Sequence, residues 1–222
     1  PNVDEAEKRK KECWRLNVQI PLLVNSVCST MGIRFMHISS GCIFNGYEKE
    51  WTEEDDPNFG LFDRASYYST TKHAFESVSQ HLPGTIIRIR MPFSADFNER
   101  SLLSKLLKYD KLVDMRNSKT CIEDLSSSIR EMIEADSLSL VDRRTIHMVN
   151  SDALSTRDVV EEMRSFGIYN PNWNFVPLEG IPIVAPRSNC VIRSIHLDNP
   201  MNSKPSELES LRKCLKIMKE CV

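Results

Sequence analysis

Apolar residues recur at helical intervals from Glu5 to about Met31, where Cys13, Trp14, Leu16, Ile20, Leu23, Val24 and Val27 follow a charged opening. Pro21 is expected to kink or break that helix. After Gly32 the pattern changes, and Ile33 to Ser40 runs apolar and alternating like a buried strand. Asn45 to Asp63 is acidic, holds Pro57 and two glycines, and reads as a surface loop. Ala65 to Leu82 is helical, with Phe75, Val78 and Leu82 along one seam, and Pro83-Gly84 ends it. Thr85 to Met91 is a second strand, stopped by Pro92. Helices are expected over Ser101–Tyr109 and Ile122–Ala135, with a third strand at Thr145–Asn150. Ser155 and Asp158 form a capping box for a helix through Phe166. A short strand at Trp173–Leu178 and a closing amphipathic helix over Ser206–Cys221 complete the order. Strands alternating with helices at this spacing predict an α/β fold with a parallel sheet covered on both faces.

Composition narrows the classes. With 222 residues and 41% apolar content, the chain can bury a substantial core. A net charge of −2 gives no electrostatic case for nucleic acid or an anionic membrane surface, and no apolar run has the length of a membrane span. Seven cysteines lack any CxxC pair or zinc-site spacing, so no metal is expected; reduced thiols in a cytoplasmic setting are. Pro1 opens a charged, helix-like stretch and reads as a cut start.

Parallel sheets place ligands at the carboxyl ends of their strands. The first strand runs into Ser39-Ser40-Gly41-Cys42-Ile43-Phe44, the second into Met91-Pro92-Phe93-Ser94. On the following helix Tyr68 and Lys72 stand one turn apart on the same face. A lysine charge stabilises phenolate, so Lys72 is expected to lower the Tyr68 pKa and fit it for proton transfer near neutrality. An exposed tyrosine–lysine helix pair would show the same spacing. Ser40, at a strand end about thirty residues upstream, narrows the choice, because its hydroxyl could hold a carbonyl oxygen beside the phenol.

A strand-end hydroxyl followed by YxxxK on the next helix resembles the extended, sugar-nucleotide branch of the short-chain dehydrogenase/reductases. The resemblance extends through Ser39–Phe44, the loop ending Glu54-Asp55-Asp56-Pro57-Asn58-Phe59, Tyr68–Lys72, Arg88-Ile-Arg-Met-Pro92 and Val184-Ala-Pro-Arg-Ser-Asn189, in that order. Together these are similar to the bifunctional UDP-4-keto-6-deoxyglucose 3,5-epimerase/4-reductases of UDP-L-rhamnose synthesis, relatives of dTDP-4-dehydrorhamnose reductase and GDP-fucose synthase. The resemblance implies a Rossmann-like parallel sheet with flanking helices and a smaller C-terminal substrate-binding lobe. Residues 1–92 and 119–150 would be the remainder of the NADP-binding domain, and 93–118 and 151–222 the lobe.

The resemblance also implies roles. Ser40 would hydrogen-bond the C4 keto oxygen, Tyr68 donate the proton, and Lys72 hold the nicotinamide ribose. Met91, Pro92 and Phe93 would cover the nicotinamide. Cys42 would be the base of epimerisation and Lys105 the acid on the opposite face, although the segment before Lys105 is one residue shorter than the family pattern. Phe44, Arg187 and Asn189 would meet the nucleotide sugar, the last two at its diphosphate, and Asn17 is read as structural. Without the resemblance, Cys42 would be a buried thiol, Lys105 a solvated helix lysine and Arg187 a surface arginine. The implied cofactor is NADPH, with NADH the alternative; the implied assembly is a homodimer coupled functionally to a sugar-nucleotide 4,6-dehydratase.

One departure matters. None of the seven glycines forms the GxxGxxG or GxGxxG turn that binds the cofactor pyrophosphate. The expectation is an N-terminally truncated reductase, inactive by itself. The alternatives are a reductase of dTDP- or GDP-linked sugars and a non-catalytic regulatory subunit of reductase fold, like that of methionine adenosyltransferase. The joint presence of Ser40, Tyr68 and Lys72 argues against the latter.

Overall fold

The computed structural model describes residues 3–61, 64–136 and 143–220. Its first helical stretch is broken into Val3–Lys8 (α1), Lys10–Trp14 (α2) and Ile20–Thr30 (α3), with a π turn over Arg15–Gln19. The break falls just before Pro21. That residue brings no N–H to the helix and its ring crowds the carbonyl four residues back, so the backbone widens upstream. Strand β1 is Met36–Ser40, shorter than expected because the Ile33 N–H still closes onto Cys28 O at 2.8 Å.

Helix α4, Tyr67–Val78, starts at Ser66, whose hydroxyl accepts from the Ser69 N–H. Strand β2 follows at Gly84–Ile89, then α5 at Leu102–Lys108, a two-residue strand β3 at Lys111–Leu112, and α6 at Ile122–Glu134. Strand β4 is Arg143–His147, and α7 spans Thr156–Ser165 behind the expected Ser155/Asp158 capping box. Asn174–Phe175 (β5) pairs in parallel with β3, which the sequence did not announce. Helix α8, Glu207–Glu220, closes the described chain.

The main sheet is parallel, in the order β1-β2-β4, with Ser40 level with Ile89. Strand β2 lies in the middle and is buried from Gly84 to Arg88, as a strand covered on both faces must be. Phe35, Phe75 and Ile86 pack β1 and β2 against α4, and Ile87, Leu125, Met132 and Ile146 pack the other face against α6. A third cluster joins Phe93, Leu103, Val160, Met163, Trp173 and Leu215 around α5, α7 and α8. The Lys119 ammonium anchors α8 beneath this cluster. Its three N–H bonds go to Asn117 O, Leu154 O and Glu207 Oε1 at 2.6–2.9 Å. No helix among the described residues is long and apolar enough to cross a membrane.

Candidate active site

The site forms where β1 ends. Ser40 stands at the start of a 3₁₀ turn, Gly41–Ile43, and its Oγ accepts the Cys42 N–H at 3.1 Å. That bond aims hydroxyl and thiol from the same turn. Gly41 is required there, since a Cβ would lie 2.7 Å from Ile192 Cδ1 and 2.9 Å from Arg90 Cγ. Arg90 fixes the turn by donating to Gly41 O, Ser188 Oγ, Ser188 O and Asn117 Oδ1. Helix α4 brings Tyr68 to the same place, where its phenol hydrogen-bonds with the Ser40 hydroxyl and feels the Cys42 thiol. Ser40, Cys42 and Tyr68 therefore converge. Tyr68 and Cys42 are half-buried and Ser40 is almost wholly so.

The expected lowering of the tyrosine pKa by Lys72 does not occur. Burial pushes the phenol above its ordinary value and the Cys42 thiol adds to the shift; the Ser40 hydrogen bond and the Arg90 guanidinium only partly offset them. The Lys72 ammonium is 6.0 Å from the ring centroid and donates to Ile38 O at 3.3 Å. Its own pKa is lowered by burial, against the pull of Glu76, Cys13 and Cys42. Asn17, in the π turn, donates to Thr71 Oγ1 and Cys13 Sγ, locking the first helical stretch to α4, as expected of a structural asparagine.

Two of the other expected residues are enclosed in the core. Phe44 has no exposed surface; it stacks on Trp51 at 5.3 Å with the Arg88 guanidinium 5.2 Å from its ring, and has no face left for a sugar. Phe93 is buried in the third cluster, and its backbone bonds Thr120 O and the Ile122 N–H. Met91 adopts φ 34°, uncommon for a side chain this bulky, so the chain is strained at the end of β2 just before Pro92. Arg187 is paired with Asp4 at 2.6 Å, and Asn189 accepts from Asn117 Nδ2 at 3.1 Å. Lys105 is half-buried on α5, its ammonium has no hydrogen-bond or ion-pair partner among the described residues, and burial lowers its pKa.

Behind the site runs a polar chain that the sequence did not reveal. Glu76, one turn beyond Lys72, accepts from Ser39 Oγ at 2.5 Å and from Arg88 Nε and an Arg88 terminal nitrogen at 3.0 and 2.7 Å. Arg88 also donates to His147 Nε2 at 3.0 Å, so the imidazole proton sits on Nδ1 and points at Arg193 O. Burial, then Arg88, lowers the His147 pKa to about 4 and keeps the ring neutral. The one available signal was arginine in an otherwise apolar strand, because a buried guanidinium requires a carboxylate. Elsewhere an open groove of about 470 Å³ is lined by Asp114, Arg157, Phe175 and Glu179 among others; it includes none of the expected site residues.

The parallel sheet and the hydroxyl–phenol–thiol group at its carboxyl edge define a Rossmann-like chain of the reductase type. The family model described as RmlD substrate binding domain matches residues 1–217, and the chain belongs to that family. It is 31% identical to a bifunctional dTDP-4-dehydrorhamnose 3,5-epimerase/dTDP-4-dehydrorhamnose reductase of Arabidopsis thaliana, over 96% of this chain and 71% of that protein. Identity is 33% to a trifunctional UDP-glucose 4,6-dehydratase/UDP-4-keto-6-deoxy-D-glucose 3,5-epimerase/UDP-4-keto-L-rhamnose-reductase of the same plant, over 85% of this chain but 29% of that one. Among solved structures, the L780 UDP-rhamnose synthase of Acanthamoeba polyphaga mimivirus superposes with a TM-score of 0.80 at 25% identity, over 91% of this chain and 71% of its own. The fold is shared too with a dTDP-4-dehydrorhamnose reductase of Bacillus anthracis solved in complex with NADP, at a TM-score of 0.76 and 19% identity, over 96% of this chain and 76% of that one.

Proposed function

We propose that this chain carries the proton-transfer residues for 3,5-epimerisation and NADPH-dependent 4-keto reduction of UDP-4-keto-6-deoxyglucose, giving UDP-L-rhamnose. The observation that carries the reading is the convergence of Ser40, Cys42 and Tyr68 on one turn and one helix face. Epimerisation needs a base to take the proton alpha to the ketone and an acid to return one from the other face. Cys42 would take the first role. Lys105 suits the second, since a lysine with its pKa lowered by burial and no ion partner gives up a proton readily. Ser40 holds the ketone oxygen as it becomes an enolate and later an alkoxide. Tyr68 stays protonated because its pKa is raised, and delivers that proton to the alkoxide oxygen.

The residues fit the nicotinamide-ribose half of NADPH. Lys72 is buried and directs one N–H to Ile38 O, leaving two without a hydrogen-bond partner among the described residues; these can meet the ribose hydroxyls. NADPH, when bound, supplies the hydride for C4. The strained turn at Met91 and Pro92 would line its ring, and Arg187 and Asn189 would face the substrate diphosphate once Asp4 releases the guanidinium. The 222 residues hold no glycine-rich turn of the kind that binds a cofactor pyrophosphate. A homodimer would use the exposed apolar side of α3, where Leu23, Val24 and Val27 are 65, 45 and 46% exposed. The dehydratase expected to supply the substrate is part of the name of the trifunctional plant relative. A dTDP-linked sugar is the second reading, favoured by the name of the bifunctional plant relative.

The test is isotope exchange at C3 and C5 in heavy water together with NADPH oxidation, run on the chain joined to a dinucleotide-binding segment, with UDP- and dTDP-linked 4-keto sugars. Tyr68→Phe should keep exchange and lose reduction; Cys42→Ala should lose exchange. Both activities disappearing together in both variants would refute this division of roles.

A further inference from the structure

Three ligand-bearing side chains meet far along the chain from Ser40 and Tyr68. Cys121 precedes the first residue of α6, Glu123 lies in the first turn of that helix, and Cys214 reaches them from the middle of α8. The two sulfurs are 3.9 Å apart, and Glu123 Oε2 is 3.1 Å from Cys121 Sγ and 3.9 Å from Cys214 Sγ. All three ligand atoms lie within 4.8 Å of one another. Tetrahedral zinc with bonds of about 2.3 Å to sulfur and 2.0–2.2 Å to oxygen would hold its ligands about 3.5–3.8 Å apart. The edges here, from 3.1 to 3.9 Å, bracket those values.

The ligands are also held in place. Glu123 turns its other oxygen, Oε1, to the Ala95 N–H at 2.9 Å, which leaves Oε2 aimed at the sulfurs. Cys121 donates its N–H to Asn150 Oδ1 at 2.8 Å. Outer hydrogen bonds of this kind orient metal ligands before the ion arrives. Both cysteines are 2–3% exposed while Glu123 is exposed, so the site opens to solvent only on its carboxylate side. Two thiolates and a carboxylate carry three negative charges, enough to hold a divalent cation.

We propose that Cys121, Cys214 and Glu123 bind one borderline-soft divalent cation of the zinc type, with a water in the fourth position. The ion would clamp α6 to α8 across 93 residues of sequence. Because Cys121 also bridges Phe93, it would hold down the segment that follows the strained Met91. The assignment is independent of the sugar chemistry proposed above.

The full chain, reduced and metal-free, is titrated with cobalt(II) and then with zinc(II) against a chromophoric chelator. One cobalt per chain with a sulfur-to-metal charge-transfer band, displaced by one zinc, is the expected result. Saturating zinc should raise the unfolding midpoint by roughly 5–10 °C. Glu123→Gln, on an exposed side chain that leaves both thiols in the core, should weaken zinc binding about tenfold or more, whereas Cys28→Ser should leave it unchanged. Cys121→Ser with Cys214→Ser should abolish the charge-transfer band. Absence of that band, zinc binding unaffected by Glu123→Gln, or loss of two thiols to a Cys121–Cys214 disulfide in place of metal uptake would each overturn the assignment.

Discussion

Arg88 and Glu76 face each other at 2.7 Å with side chains 6 and 4% exposed, directly behind the strand end that carries Ser40. Removing one partner leaves an uncompensated charge in the core. Arg88→Met or Glu76→Gln alone should therefore cost about 3–5 kcal/mol in urea unfolding. The double variant Arg88→Met/Glu76→Gln should cost clearly less than the sum of the two single changes. Additive losses would show that the pair does not act as a unit.

Gly41→Ala tests how rigid the Ser40–Cys42 turn is. The new methyl meets Ile192 and the stem of Arg90, and Arg90 is held by four hydrogen bonds. A stability loss of about 1–3 kcal/mol is expected. Isotope exchange should fall by more than the loss of folded protein explains, because hydroxyl and thiol shift together. Unchanged exchange in fully folded variant would contradict this.

Ser40→Ala removes the group assigned to the ketone oxygen in both half-reactions. Exchange and reduction should drop together, each by about 10²–10³. A variant that lost only one of them would place the oxygen elsewhere.

Two histidines set a pH dependence. His37, between Phe35 and Phe75, is lowered to about 4 by burial and then by Lys72; His147 is lowered to about 4 by burial and then by Arg88. Each folded pKa lies below the unfolded value near 6.5, so the unfolded chain takes up protons first as the pH falls. The stabilisation from the neutral rings is complete above about pH 6.5 and is lost progressively toward pH 4. Urea midpoints should decline over that interval, and His37→Phe should make the decline shallower. An identical slope in His37→Phe would remove His37 from the explanation.

At the edge of the fold, Ser155 accepts the Asp158 N–H while Asp158 accepts the Ser155 N–H. Ser155→Ala should cost about 1 kcal/mol, measured by chemical denaturation.

The elements with strong periodicity were legible in the sequence. The apolar β2 run and the Ser155/Asp158 cap appear where the residues place them; of the expected α4 seam only Phe75 is buried, since Val78 is 60% exposed and Leu82 lies past the end of the helix. The π turn was not, because a proline marks a disturbance without saying on which side the backbone relaxes. The pairing of β3 with β5 also escaped, since two residues carry no period. Within the site, Ser40, Cys42 and Tyr68 could be named from order along the chain. Phe44 could not be placed, because an aromatic beside a catalytic turn looks the same whether it faces a ligand or Trp51. Nor could Lys72 be judged, since its effect on the phenol depends on where its ammonium points. The approach of Cys121 to Cys214 depends entirely on how α8 packs.

The level pairing of Ser40 with Ile89 sets how the molecule can change. Side chains alternate between the two faces of a sheet, so adding or deleting one residue within β1 would turn the hydroxyl away from the phenol and put Ser39 or Gly41 in its place. The acidic segment over residues 45–61 forms no named strand and obeys no such parity. Natural length variation should therefore collect in that loop and spare the five residues before Gly41.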